Sequence, residues 1–234
     1  MSYLHRSRDI FVTASIVLFS VQYIHGKNQA ELHSKLFQAA RTGDAKQVVE
    51  LLREGADPAT YNSMGWNFLT EAALLNRVNV VEAIPAKPDL INHKNKDSGT
   101  ALTFAAQTDL GSPEFIRALL DKGADVKVTD QFGGTALFNA ASGNTKRPHE
   151  IAKLLINRGA EVDARNMHGL TPLMKAAQYG RVELVKLLIA SGADVNAKDK
   201  EGMSVLSWAA WGGEGIDPGN TRKCLAVLKS AGAK

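Results

Sequence analysis

The apolar residues of this 234-residue chain recur with a fixed local spacing. A leucine stands three positions ahead of a pair of alanines six times, at Leu36, Leu69, Leu102, Leu137, Leu173 and Leu206. The pairs begin at Ala39, Ala72, Ala105, Ala140, Ala176 and Ala209, which are 33, 33, 35, 36 and 33 residues apart. Positions three and four apart share one face of an α-helix, so each Leu-x-x-Ala-Ala segment predicts a short helix with a single apolar stripe. A second apolar run follows, clearest at Leu184-Val-Lys-Leu187-Leu188-Ile189, and it ends at Gly192. Glycine reaches the left-handed conformation that closes a helix without steric cost. Gly55, Gly123, Gly159 and Gly232 hold equivalent places. The period implies about six helix-turn-helix units, roughly 29–61, 62–94, 95–129, 130–165, 166–198 and 199–234.

The clearest unit runs Asn166-Met-His-Gly169-Leu-Thr171-Pro172-Leu173-Met-Lys-Ala176-Ala177-Gln-Tyr-Gly180 and closes on Gly192-Ala-Asp-Val-Asn196. It resembles the ankyrin repeat, matching the T-P-L-H-x-A core except that Met174 stands at the histidine position. The resemblance covers essentially Gln29 to Lys234 and implies an all-α ankyrin-repeat solenoid. Connecting β-hairpins or loops would project sideways from the helix pairs to give an L-shaped stack with a concave face. Within the repeat, the Thr171 hydroxyl is suited to cap the first helix, and Pro172 fits its first position, where no N–H is needed. The small alanines let neighbouring helices approach closely.

Departures from the period predict local changes. Pro85 and Pro88 stand where the second helix of unit two should be ending, so that helix is expected to stop early at Pro85. Extra residues fall between the two helices of units three, four and six, in 109–113, 143–148 and 212–220; their Gly, Pro and Asn content predicts loops. The first and last units are expected to act as caps.

Ahead of the repeats, Arg6 and Arg8 precede a mostly apolar run, Ile10 to Val21, and then Gly26. That order matches an export signal, and the run is short for a bilayer-spanning helix, which takes about 20 residues. Residues 1–26 are read as a signal peptide cut after Gly26, with 27–234 the ankyrin-repeat domain; an uncleaved anchor or an extra packed helix are the alternatives. The expected location is periplasmic or secreted. Charged residues make up 22% of the chain and the net charge is +4, with no basic runs, so a nucleic-acid partner is not expected. Cys224 is the single cysteine, which excludes an internal disulfide.

Catalytic and metal chemistry find little support. The six histidines include no pair at ligand spacing on one helix, and Lys153 stands where a zinc-protease motif starting at His149 would need its second histidine. The glycines after Gly212 lack the Gly-Lys-Ser/Thr of a phosphate loop. Cys224 follows Arg222 and Lys223, which would favour a reactive thiolate, yet its helical spacing to Val227 and Leu228 favours a place in the core. Neither an enzyme, a cofactor nor a metal site is expected.

The resemblance places partner contacts at the two residues before each hairpin glycine, the one after it, and the two after each alanine pair. Met64, Trp66, Phe132, Met167, His168, Leu170, Tyr179, Met203 and Trp211 occupy such positions and would form an apolar stripe. Tryptophan and tyrosine dominate binding energy at interfaces. The alternative is that some of them pack between hairpins. Compartment and surface together lead to an expected monomer that binds another exported protein, touching the membrane only through its signal peptide. The sharper expectation is a self-protection protein that masks an exported enzyme such as a peptidoglycan hydrolase. A non-inhibitory accessory factor or envelope scaffold is the alternative.

Overall fold

The computed structural model describes residues 28–109, 111–212 and 216–234; the expected signal peptide, 1–26, lies outside them. Thirteen helices are described, α1 spanning 28–42 and pairing with α2 (Ala45–Arg53). Then come α3 (Phe68–Leu74), α4 (Val78–Ala83) and a one-turn α5 (Pro88–Ile91). The remaining pairs are α6 (Ala101–Gln107) with α7 (Pro113–Asp121), α8 (Ala136–Ser142) with α9 (Pro148–Asn157), α10 (Pro172–Gln178) with α11 (Val182–Ala190), and α12 (Val205–Trp211) with α13 (Pro218–Ser230).

They form two layers. Along one, α3, α6, α8, α10 and α12 pack in succession; along the other, α2, α4, α7, α9, α11 and α13 do the same. The repeated leucines and alanines lie between them: Leu36, Leu69, Leu102, Leu137 and Leu173 are buried, as are both alanines of the first five pairs. In the sixth, Ala209 is buried and Ala210 exposed. The all-α architecture agrees with the periodicity. The expected hairpins are reduced to tight turns, with isolated bridges at Thr129–Thr135 and Lys198–Ser204. No helix among the described residues is long and apolar enough to cross a membrane.

Helix ends follow from the residues that sit there. Thr171 accepts a hydrogen bond from the Met174 N–H at 3.3 Å, and Asn67, Thr100, Thr135 and Ser204 cap α3, α6, α8 and α12 in the same way. Each such cap contributes about 1 kcal/mol. At the far end of α11, Gly192 adopts φ +91, and the Ala193 N–H reaches back to the Leu188 carbonyl at 3.0 Å. That is the Schellman closure. The same bond runs from Ala56 to Leu51, Ala124 to Leu119, Ala160 to Leu155 and Ala233 to Leu228. α4 does end ahead of Pro85: Ile84 is extended, and the amine of Lys122, the residue that follows α7, donates to its carbonyl at 2.7 Å.

Neighbouring turns are tied to one another by the backbone. The N–H groups of Lys96, Gln131, Met167 and Lys200 donate to the carbonyls of Gly65, Asp97, Phe132 and His168, at 2.9 to 3.1 Å. Each turn needs one residue in the left-handed region, filled by Gly65, Gly133, Gly169 and Gly202 but by Ser98 (φ +59) in unit three. A side chain there costs about 1–2 kcal/mol. Ser98→Gly should therefore stabilise the fold by about 1 kcal/mol, after the entropy that glycine adds to the unfolded chain. Thermal unfolding should show this as a rise of roughly 3 °C; an unchanged midpoint would mean the serine carries no strain.

Cys224 lies on α13 and is fully buried. Burial pushes its thiol up to about 11, so the neighbouring Arg222 and Lys223 do not make it a thiolate at neutral pH. A thiol-titrating disulfide reagent at pH 8 should leave the native protein unmodified and react once per chain in denaturant. Rapid labelling of the folded protein would place the sulfur at the surface instead.

Candidate functional site

In three units, one side-chain position links the first-helix layer to the turns. Two residues after each repeat leucine the sequence reads Gln38, Glu71, Phe104, Asn139, Lys175 and Trp208. Three of these bond to the first residue of their own turn. Asn62 Nδ2 donates to Glu71 Oε2 at 3.2 Å, Asn139 Nδ2 to Asp130 Oδ2 at 2.9 Å, and Trp208 Nε1 to Asp199 Oδ2 at 2.9 Å. The same turn residues hold the turn itself: the Asp130 Oδ1 accepts from the N–H groups of Phe132 and Gly134, both at 2.9 Å. Asn62, Asn166 and Asp199 do likewise. A groove remains open between turns and helices. It widens to about 500 Å³ between α1 and the first turn, beside Phe37, Met64 and Trp66.

The nine stripe residues divide by register. Trp211 (67% exposed), Met64 (63%), Phe132 (57%) and Met167 (50%) stand clear of the surface, as does His168. Trp66, Tyr179 and Met203 are half-buried. Leu170 is only 8% exposed and packs in the core, so it offers a partner almost no surface. The physical reason is its place after the turn glycine: its carbonyl accepts the Asn166 N–H that closes the turn, and its side chain falls inward. Trp66 and Met203 occupy the same register and are half-covered for the same reason.

Two aromatic clusters result. In units two to four, the rings of Trp66 and Phe104 lie 5.0 Å apart at 59°. With Phe132, Asp97, Asp130, Gln107 and Gln131 they line a cavity of about 260 Å³. In units five and six the Lys175 amine lies 5.1 Å from the Tyr179 ring and 5.6 Å from that of Trp208, while Trp211 stands edge-on to Trp208 at 5.0 Å. Lys175 donates to Gln178 Oε1 at 2.6 Å, and burial holds its pKa below the usual lysine value. Arg181 stacks on Tyr179 at 5.5 Å and donates to the carbonyls of Ala140 and Gly143; burial lowers its pKa also. This arginine ties unit five to unit four.

Phe104, Lys175 and Trp208 were absent from the expected contact set. The sequence does carry a signal for them: six units show six different residues at one position between fixed leucines and alanines, as expected where a repeat is free to vary its surface. Among the described residues no group of three or more His, Cys, Asp or Glu side chains could hold a metal ion.

Comparison with known proteins agrees with this architecture. The family model for ankyrin repeats (3 copies) matches residues 36–130, 110–199 and 137–217. The chain is 29% identical over 188 residues to ankyrin repeat and SOCS box protein 3 of Homo sapiens, covering 66% of this chain and 36% of that protein. It is 39% identical over 106 residues to ankyrin repeat and KH domain-containing protein 1 of Homo sapiens, covering 44% of this chain and 4% of that one. The chain thus spans about a third or less of the length of these curated relatives. Among solved structures, an ankyrin repeat domain from Acinetobacter baumannii AYE superposes with a TM-score of 0.69 at 28% identity, covering 85% of this chain and 98% of that one. With three family matches extending over most of its length, and the alanine pairs, caps and closing glycines in their repeat positions, this chain belongs to the ankyrin-repeat family.

Proposed function

We propose that the protein binds an exported enzyme through the groove between its turns and its first-helix layer, and masks that enzyme's active-site face. Ankyrin repeats form protein–protein interaction modules, and the proteins that carry them are in general non-catalytic. The observation that carries the reading for this chain is the set of exposed apolar side chains, Met64, Phe132 and Met167 on the turns of units two, four and five and Trp211 at the end of α12. Exposed aromatic and thioether side chains grouped along one groove are typical anchors of a protein interface. The stack is braced by backbone bonds from turn to turn, so little ordering entropy is lost on association.

Export and the choice of partner rest on the N-terminal sequence, where a basic start, an apolar run and Gly26 follow the order of a signal peptide. A self-protection protein directed at a peptidoglycan hydrolase suits that compartment and a surface without chemistry of its own. An accessory factor for the same kind of enzyme would use the same groove.

Purified protein beginning at Lys27, added to envelope peptidoglycan hydrolases, should reduce turnover of the one it masks; unchanged or improved turnover of a bound hydrolase would favour the accessory role. A reporter enzyme active only after export should gain activity when fused behind residues 1–30, and an inactive fusion would remove the export reading.

For the partner captured from the envelope, Trp211→Ala with Met167→Ala should weaken binding by about 2 kcal/mol or more with the helical circular dichroism unchanged. Undiminished affinity would place the contact elsewhere on the stack.

A further inference from the structure

We propose that the cavity walled by Trp66, Phe104 and Phe132 seats one basic side chain, lysine or arginine, carried by the protein partner. The inference rests on the groove being a protein-binding surface and adds which chemistry that surface selects.

The argument starts from what the walls offer. Three aromatic rings supply negative π faces, and a cation held within about 6 Å of such a face is attracted by the ring quadrupole. Asp97 and Asp130 lie in the same lining, together with the amides of Gln107 and Gln131. The Asp130 carboxylate is fixed in place, with Oδ1 held by two backbone N–H groups and Oδ2 by Asn139. The ion pairs among the described residues involve neither Asp97 nor Asp130. The nearest lysine in sequence, Lys96, carries its amine over the Tyr61 ring at 6.0 Å, a residue outside the cavity lining.

Other occupants fit less well. An acidic side chain would meet two carboxylates and ring faces of the same sign. A purely apolar one would cover Asp97 and the glutamine amides without satisfying them, at a cost for each polar group so buried. The alkyl stem of lysine or arginine fits the rings, and its charged head fits the carboxylates. The local acidity also runs against the chain as a whole, whose net charge is +4, so it is not a sample of the average surface. A cavity of about 260 Å³ suits one long side chain rather than a folded segment.

The test needs no identified partner. The protein from Lys27 onward is titrated with N-acetyl-arginine amide and N-acetyl-lysine amide and followed by nuclear magnetic resonance. N-acetyl-norleucine amide and N-acetyl-glutamate amide serve as controls. The basic probes should shift the Trp66 indole N–H and the backbone signals of Phe104 and Phe132, and the controls should not. Asp97→Asn, at an exposed turn position, should weaken the response about threefold or more, as should raising the salt to 0.5 M.

An equal response to norleucine would make the cavity a plain apolar pocket, and a response to glutamate would reverse its sign. No localised shift, or no effect of Asp97→Asn, would equally overturn the proposal. None of these results bears on whether Trp211 and Met167 bind a protein partner, so the two readings fail separately.

Discussion

No helix pair in this chain can bury its own apolar stripe, and the structure depends on how neighbouring units solve that shortage. The solution is the alanine pair. From Ala39-Ala40 to Ala176-Ala177 both alanines of each pair are buried, with a repeat leucine beside them. A larger side chain would drive adjacent first helices apart, and the bonds linking successive turns would lengthen with them. Because every interface lies between sequence neighbours, stability accumulates unit by unit. The long-range polar contacts obey the same rule: Arg77 donates to the Arg41 carbonyl, Lys122 to that of Ile84 and Arg181 to that of Ala140, each reaching one unit back.

Close stacking of the helices also decides what the surface can do. The turns inherit their spacing from the first helices through the polar links between residues nine apart, Asn62 with Glu71, Asp130 with Asn139 and Asp199 with Trp208. The cavity near Phe104 takes Trp66 from one unit, Phe104 from the next and Phe132 from a third. No single repeat contains it. Its walls are held by backbone bonds between turns, Lys96 to Gly65 and Gln131 to Asp97, so the aromatic rings are arranged before anything binds. Preorganisation of this kind is what lets a repeat array bind without a folding step.

The helices were legible because their signals are local. A leucine and two alanines at helical spacing, a capping hydroxyl and a closing glycine each act within one turn of chain, and α4 ends before Pro85 for an equally local reason. The site was less legible, because side-chain direction in the turns depends on which carbonyl closes them. Met167 and Leu170 stand three residues apart in one turn and look alike in sequence, yet Met167 is half exposed and Leu170 lies in the core. Phe104, Lys175 and Trp208 sit inside helices that periodicity marks as core, which hides their place beside the turns. Only comparison of the six units at one position reveals that this position is free to vary. Ser98 shows the converse: the repeat demands left-handed backbone there, and the sequence supplies serine where four other turns supply glycine.

The two aromatic clusters differ in sign, and in the proposed contact groove that difference would give a partner a direction. Toward units two to four the rings are accompanied by Asp97 and Asp130; toward units five and six they are accompanied by Lys175 and Arg181. Apolar anchors alone would accept a partner in either orientation, since ring faces and thioethers carry little directional information. Charges of opposite sign at the two ends remove that ambiguity, because the reversed arrangement sets like charges against each other where water is being excluded. Lys175 would add to the effect: already partly stripped of water and, among the described residues, hydrogen-bonded only to Gln178, it would gain more from a partner carboxylate than a solvated lysine. The apolar row would then set how tightly a partner is held, and the paired clusters which way round it lies.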